Sequence, residues 1–104
     1  MARLAFKMHL IKGNELEYER RHNELWPELQ LLLKNAGIKE YSIFLDEPSG
    51  DLFSIMDIED DKKLSDLPHH AIMKKWWSYM KDIMDTNPDN SPVSFPLKRV
   101  FYLP

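Results

Sequence analysis

The sequence predicts an α+β domain whose elements follow the order β-α-β-β-α-β. Three observations predict it. Residues alternate with period two from Arg3 to Ile11 and again on both sides of the turn Glu47–Pro48–Ser49–Gly50–Asp51. Apolar residues recur at helical spacing from Leu25 to Ala36 and from Ile72 to Met84. Turn-forming residues punctuate the boundaries between these runs. At 104 residues the chain reads as a single domain over residues 1–104, long enough to bury a core without staples.

In the first run Leu4, Phe6, Met8 and Leu10 share one strand face, opposite Arg3, Ala5, Lys7 and His9. Gly13–Asn14 ends it, with Asn14 as an expected helix N-cap and Glu15 and Glu17 favourable in the first turn. That helix is expected through about His22. Pro27 predicts a kink or restart, with Asn23 as a second cap, before a helix with Leu25, Leu29, Leu32, Leu33 and Ala36 on one face. Gly37 suits a left-handed terminator. Lys39–Asp46, with Tyr41, Ile43 and Leu45 on one face, and Leu52–Glu59 form a hairpin. After Glu59–Asp60–Asp61, a short polar helix spans Lys62–Leu67, and a stronger one is expected from His70 to Asp85. Thr86–Pro96 reads as a loop and Leu97–Leu103 as the last strand. This order is the ferredoxin-like one, with two helices on one face of an antiparallel sheet. The other sheet face then needs cover, and a second copy packing sheet to sheet supplies it, so a homodimer is expected.

Composition narrows the function. The hydrophobic share is 43% and the charged share 30%, ordinary for a soluble domain. Fourteen Lys and Arg against 17 Asp and Glu give a net charge of −3, which argues against nucleic-acid binding. The chain has no cysteine, which excludes disulfides, thiol catalysis and thiolate metal sites. No apolar run approaches the ~20 residues of a membrane span, and a cytoplasmic protein is expected.

Chemistry concentrates at Tyr18 and His22, four residues apart and thus stacked on one helix face. A phenol and an imidazole aimed at one volume can bind a hydroxylated ligand and move its protons. The plainer alternative is a packed tyrosine beside a solvated histidine. Trp76 and Trp77 are adjacent, so their indoles point ~100° apart on a helix. One then belongs to the core, while the other covers a flank, a partner chain or a pocket wall. An indole suits the C–H face of a sugar ring and its N–H can donate to a hydroxyl. Tyr41 is either a core aromatic or a further hydroxyl in the same cavity. The segment Asn87–Ser94 reads as a rigid lid or as a plain connection whose side chains satisfy their own backbone. No His, Asp and Glu set has metal-ligand spacing.

Taken together, Tyr18-Glu19-Arg20-Arg21-His22-Asn23, Trp26–Pro27–Glu28–Leu29, Trp76–Trp77 before Tyr79–Met80, the loop Asn87–Ser94 and the ending Val100–Phe101–Tyr102–Leu103–Pro104 resemble the L-rhamnose mutarotase family. The similarity runs from the first strand to the last residue. It implies a dimeric α+β barrel that interconverts the α and β anomers of L-rhamnose. It also implies His22 as the proton-donating catalytic residue and Tyr18, Tyr41, Trp76 and Trp77 as sugar-binding positions. Pyranose opening needs one proton given to the ring oxygen and one taken from the anomeric hydroxyl. No metal or other cofactor is expected, and the second proton-transfer group is left as a tyrosine, a carboxylate or a water. The competing classes are a small oxygenase of the same fold and a non-catalytic small-molecule-binding module.

Overall fold

In the computed structural model, which describes residues 2–59 and 61–104, four strands form one antiparallel sheet in the order β2-β3-β1-β4. The elements are β1 (Ala2–His9), α1 (Glu15–Asn23), α2 (Pro27–Asn35), β2 (Ile38–Asp46), β3 (Asp51–Ile58), α3 (Asp61–Asp66), α4 (Ala71–Met80) and β4 (Phe95–Pro96). A single 3₁₀ turn, Leu67–His69, joins α3 to α4. The expected ferredoxin-like order is therefore present. The acidic step at Asp60 lies outside the described residues.

Register decides which side chains face the helices. Across β1, β3 and β2 the inner rows are Leu4–Met56–Tyr41, Phe6–Ser54–Ile43 and Met8–Leu52–Leu45. A bulge between Ile38 and Glu40 adds one residue to β2. It lets Ile38, opposite Ile58, share the inner face with Tyr41 although the two are three apart. Leu10, Leu29, Leu52 and Ile58 form the most deeply buried apolar centre, between this face and the helices.

The break between α1 and α2 falls where Pro27 requires it. Pro27 takes the first turn of α2, where its missing N–H has no helical partner to lose. Asn14 occupies the N-cap position of α1 but does not cap with its side chain, whose Nδ2 donates to the Ile11 carbonyl at 3.0 Å. Trp26, rather than Asn23, precedes α2 as its N-cap residue. Gly37 (φ 91°) follows α2 in the left-handed region and donates its N–H to the Lys34 carbonyl.

Two boundaries differ from expectation. α4 ends at Met80, although apolar spacing continues through Ile83 and Met84. Those two residues leave the helix to run beside β1, where Leu10 bridges Met84 and the Ile11 N–H donates to the Ile83 carbonyl. The last strand is Phe95–Pro96, paired with Lys7 and Phe6, and not Leu97–Leu103. Beyond the Leu97 N–H, which donates to the Ala5 carbonyl, residues 98–104 form no strand, and among the described residues none pairs with them in the sheet. Residues 86–94 are thus pinned to β1 at both ends. Among the described residues, no helix is long and apolar enough to cross a membrane.

Candidate active site

A cavity of ≈ 1000 Å³ lies between the inner sheet face and the helices. α1 supplies one wall through Glu15, Tyr18, Glu19, His22 and Asn23. Their spacing (i, i+3, i+4, i+7, i+8) is one helix face. β2 adds Tyr41, β3 adds Ser54, α4 adds Trp76 and Trp77, and the 86–94 loop closes one side with Asn87, Ser91 and Ser94. The five residues expected at the site all line this one cavity.

The His22 ring stacks on Tyr18 with centroids 4.3 Å apart and meets the Trp76 indole edge-on at 5.4 Å. Its Nδ1 lies 3.0 Å from the Tyr18 carbonyl oxygen. A carbonyl only accepts, so Nδ1 carries the hydrogen and the neutral ring keeps its lone pair on Nε2. Burial pushes the imidazole pKa below its ordinary value, partly offset by that carbonyl. At neutral pH His22 is therefore a neutral ring with Nε2 free to accept.

The two phenols are tuned the other way. Burial pushes Tyr18 well above the usual phenol range, and the nearby Tyr41 adds to the shift. Burial also raises Tyr41, with the Ser54 hydroxyl acting against it. Tyr41 leaves 41% of its surface uncovered and lines the cavity. Both phenols stay protonated at working pH and remain hydrogen-bond donors. Ser54, 1% exposed, places its Oγ 3.4 Å from the Phe6 carbonyl.

The tandem indoles divide as their geometry requires. Trp76 is buried and packs at 5.2 Å edge-on against Trp26, while Trp77 is half-buried on the cavity wall. Tyr79 stacks on Trp26 at 5.5 Å and lies 5.7 Å from Trp76. The loop is internally bonded: Asn87 Nδ2 donates to Ser91 Oγ at 3.1 Å, and Asp89 Oδ1 accepts from the Ser91 N–H at 3.0 Å. Its Asn and Asp thus satisfy their own loop, as a plain connection would, while the loop also walls the cavity.

Sequence reasoning missed Glu15, Glu19 and Asn23, although helical arithmetic from Tyr18 and His22 places them on the same face. It also missed Ser54, signalled by one polar residue in the apolar row Leu52–Ser54–Met56–Ile58. Among the described residues no group of three or more His, Asp and Glu could hold a metal.

Comparison with known proteins fits this geometry. The family model for L-rhamnose mutarotase matches residues 3–103. The chain belongs to the L-rhamnose mutarotase family. A family relative from Formosa agariphila is 53% identical over 103 residues, covering 99% of both chains, and one from Rhizobium meliloti is 50% identical with the same coverage. The crystal structure of a Formosa agariphila L-rhamnose mutarotase superposes with a TM-score of 0.93 at 52% identity, covering all of both chains. The family membership therefore extends over the whole domain, cavity included.

Proposed function

We propose that this chain is an isomerase that interconverts the α and β anomers of L-rhamnose, with His22 moving the protons. The observation that carries the reading is His22 itself: a neutral imidazole with Nε2 free, in a cavity walled by two protonated phenols and two indoles. Family membership supports the substrate.

The mechanism follows from the resting proton. Nε2 accepts the proton of the anomeric hydroxyl, and the electron pair left on O1 forms the C1=O1 bond as the C1–O5 bond breaks. O5 leaves with that bonding pair and takes a proton from the imidazolium just formed. O1 and O5 are both attached to C1, so one nitrogen reaches each in turn. Rotation about C1–C2 and reclosure in the reverse order give the other anomer. His22 thus acts as proton donor in the second half of each opening. Its role as donor and its neutral resting state are two stages of one cycle. Acid–base assistance of this kind is worth ~10²–10⁴-fold. Tyr18 and Tyr41 donate to sugar hydroxyls, Trp77 offers its indole to the ring's C–H face, and Trp76 backs the imidazole.

A homodimer completes this reading. On the outer sheet face two largely apolar rows, Phe95–Lys7–Phe53–Phe44 and Ala5–Ile55–Ser42, interrupted by Lys7 and Ser42, are framed by the charged rows Arg3–Asp57–Glu40 and His9–Asp51–Asp46. Phe44 is 60% exposed and Phe95 57%, a stripe that a second copy would cover. The test of function is NMR saturation transfer between the anomers of L-rhamnose with and without the protein. Catalysed exchange is the expected result. Binding without exchange would leave a sugar-binding module, and neither would remove the reading.

A further inference from the structure

The site depends on two helices keeping their relative place, because α1 carries Tyr18 and His22 while α4 carries Trp76 and Trp77. One charged side chain ties them together. Arg21 is 8% exposed, and its Nε donates to Glu17 on its own helix at 2.6 Å. Its Nη1 reaches across to donate to the Tyr79 carbonyl at 2.7 Å and to Asp82 Oδ1 at 2.9 Å, while Nη2 donates to Asp82 Oδ2 at 3.2 Å. The guanidinium also lies 4.3 Å from the centre of the Tyr79 ring.

The contacts to Tyr79 and Asp82 act on the end of α4, Tyr79 in its last turn and Asp82 two residues beyond Met80. The Tyr79 carbonyl is in the last turn, where carbonyls lack intrahelical partners and the helix end is negative. A guanidinium there satisfies the carbonyl and holds the turn. Tyr79 in turn packs on Trp26 and Trp76, and Trp76 meets His22. The chain of contacts therefore leaves α1 at Arg21 and returns to it one residue later at His22. An apolar side chain in the same place would cover much of the surface that the Arg21 stem covers. What it would not supply is a fixed bearing between α1 and α4, because only the forked guanidinium bonds a carbonyl and a carboxylate together.

We propose that Arg21 is a positioning residue for anomer exchange: by gripping the C-terminal turn of α4 through Tyr79 and Asp82, it fixes the His22 imidazole against Trp76. This rests on the assignment of the sugar site to the cavity. A displacement of about 1 Å at a reacting group can cost ~10²-fold in rate. Tyr41 lies on β2, outside this linkage, so its sugar contact survives the change and the loss falls mainly on kcat through the displaced imidazole.

The test measures kcat and KM of L-rhamnose anomer exchange for wild type, Arg21→Met, Arg21→Lys, Asp82→Asn and the Arg21→Met/Asp82→Asn pair, with circular dichroism to establish folding. Arg21→Met is expected to lose about 10–100-fold in kcat with KM within about threefold. Arg21→Lys, which keeps the charge but not the fork, should recover part of the loss. The double variant should be no slower than Arg21→Met alone, because both changes cut the same link. If Arg21→Met does not fold, Asp82→Asn decides, since Asp82 is an exposed partner. For either folded variant, a kcat within about twofold of an active wild type, or a loss confined to KM, overturns the role of Arg21. An inactive wild type overturns the sugar-site assignment instead.

Discussion

Replacing Trp76 and Trp77 in turn by Ala separates the two uses of an indole pair. Trp76 is 8% exposed, and a buried Trp removes ~150–250 Å² from water, or about 4–6 kcal/mol at ~25 cal/mol per Å² as an upper bound. Large-to-small changes at such sites cost about 3–5 kcal/mol, and Trp76→Ala also strips the packing from His22, Trp26 and Tyr79. Trp77 is half-buried, so about half that area, or ~2–3 kcal/mol, is at stake. With a urea m-value of about 1.5 kcal/mol/M, the midpoint should fall by about 2–3 M for Trp76→Ala and about 1–2 M for Trp77→Ala. The activity effects run opposite in kind. Trp77→Ala should raise KM for L-rhamnose about tenfold, equivalent to ~1.4 kcal/mol of lost sugar contact. Trp76→Ala, where it still folds, should mainly lower kcat through His22. Equal midpoint shifts for the two variants, or an unchanged KM in Trp77→Ala, would refute this division.

The depressed His22 pKa sets the pH behaviour. Since the neutral ring is the active form, kcat/KM should hold its plateau down past ~6.5 and fall only at lower pH. An acid limb centred above that value would contradict the burial argument. Stability should follow the same sign, because the unfolded state takes up His protons first. The His22 contribution is complete above ~6.5 and declines as pH falls toward the folded value, a slope that His22→Gln should remove from urea midpoints measured across that range. On the outer sheet face, Phe44→Glu should convert a species of twice 12.4 kDa into the monomer by gel filtration with light scattering. A wild type already at the monomer mass would sink the homodimer.

Local pattern made much of this molecule legible. Period two located β1 and the hairpin, Pro27 located the restart between α1 and α2, and the i, i+4 rule brought Tyr18 and His22 together. Adjacency alone predicted that Trp76 and Trp77 would part, one to the core and the other to a flank, a partner chain or a pocket wall. What stayed hidden depends on partners distant in sequence. α4 stops at Met80 because Ile83 and Met84 pair with the end of β1, and helical spacing cannot signal that pairing. The last strand shifts to Phe95–Pro96 because β1 offers its edge there, while the apolar tail that reads as a strand finds no strand partner among the described residues. Arg21 is illegible for the same reason: read locally it belongs to a solvated helix face, and only the fold brings it to Tyr79 and Asp82.

The most direct test of the account is saturation transfer between the L-rhamnose anomers with folded His22→Ala protein beside wild type. The account predicts rapid exchange with wild type and a fall of ~10²-fold or more in the variant, with sugar binding retained. Exchange that persists in the variant at the wild-type rate would contradict the assignment of proton transfer to His22.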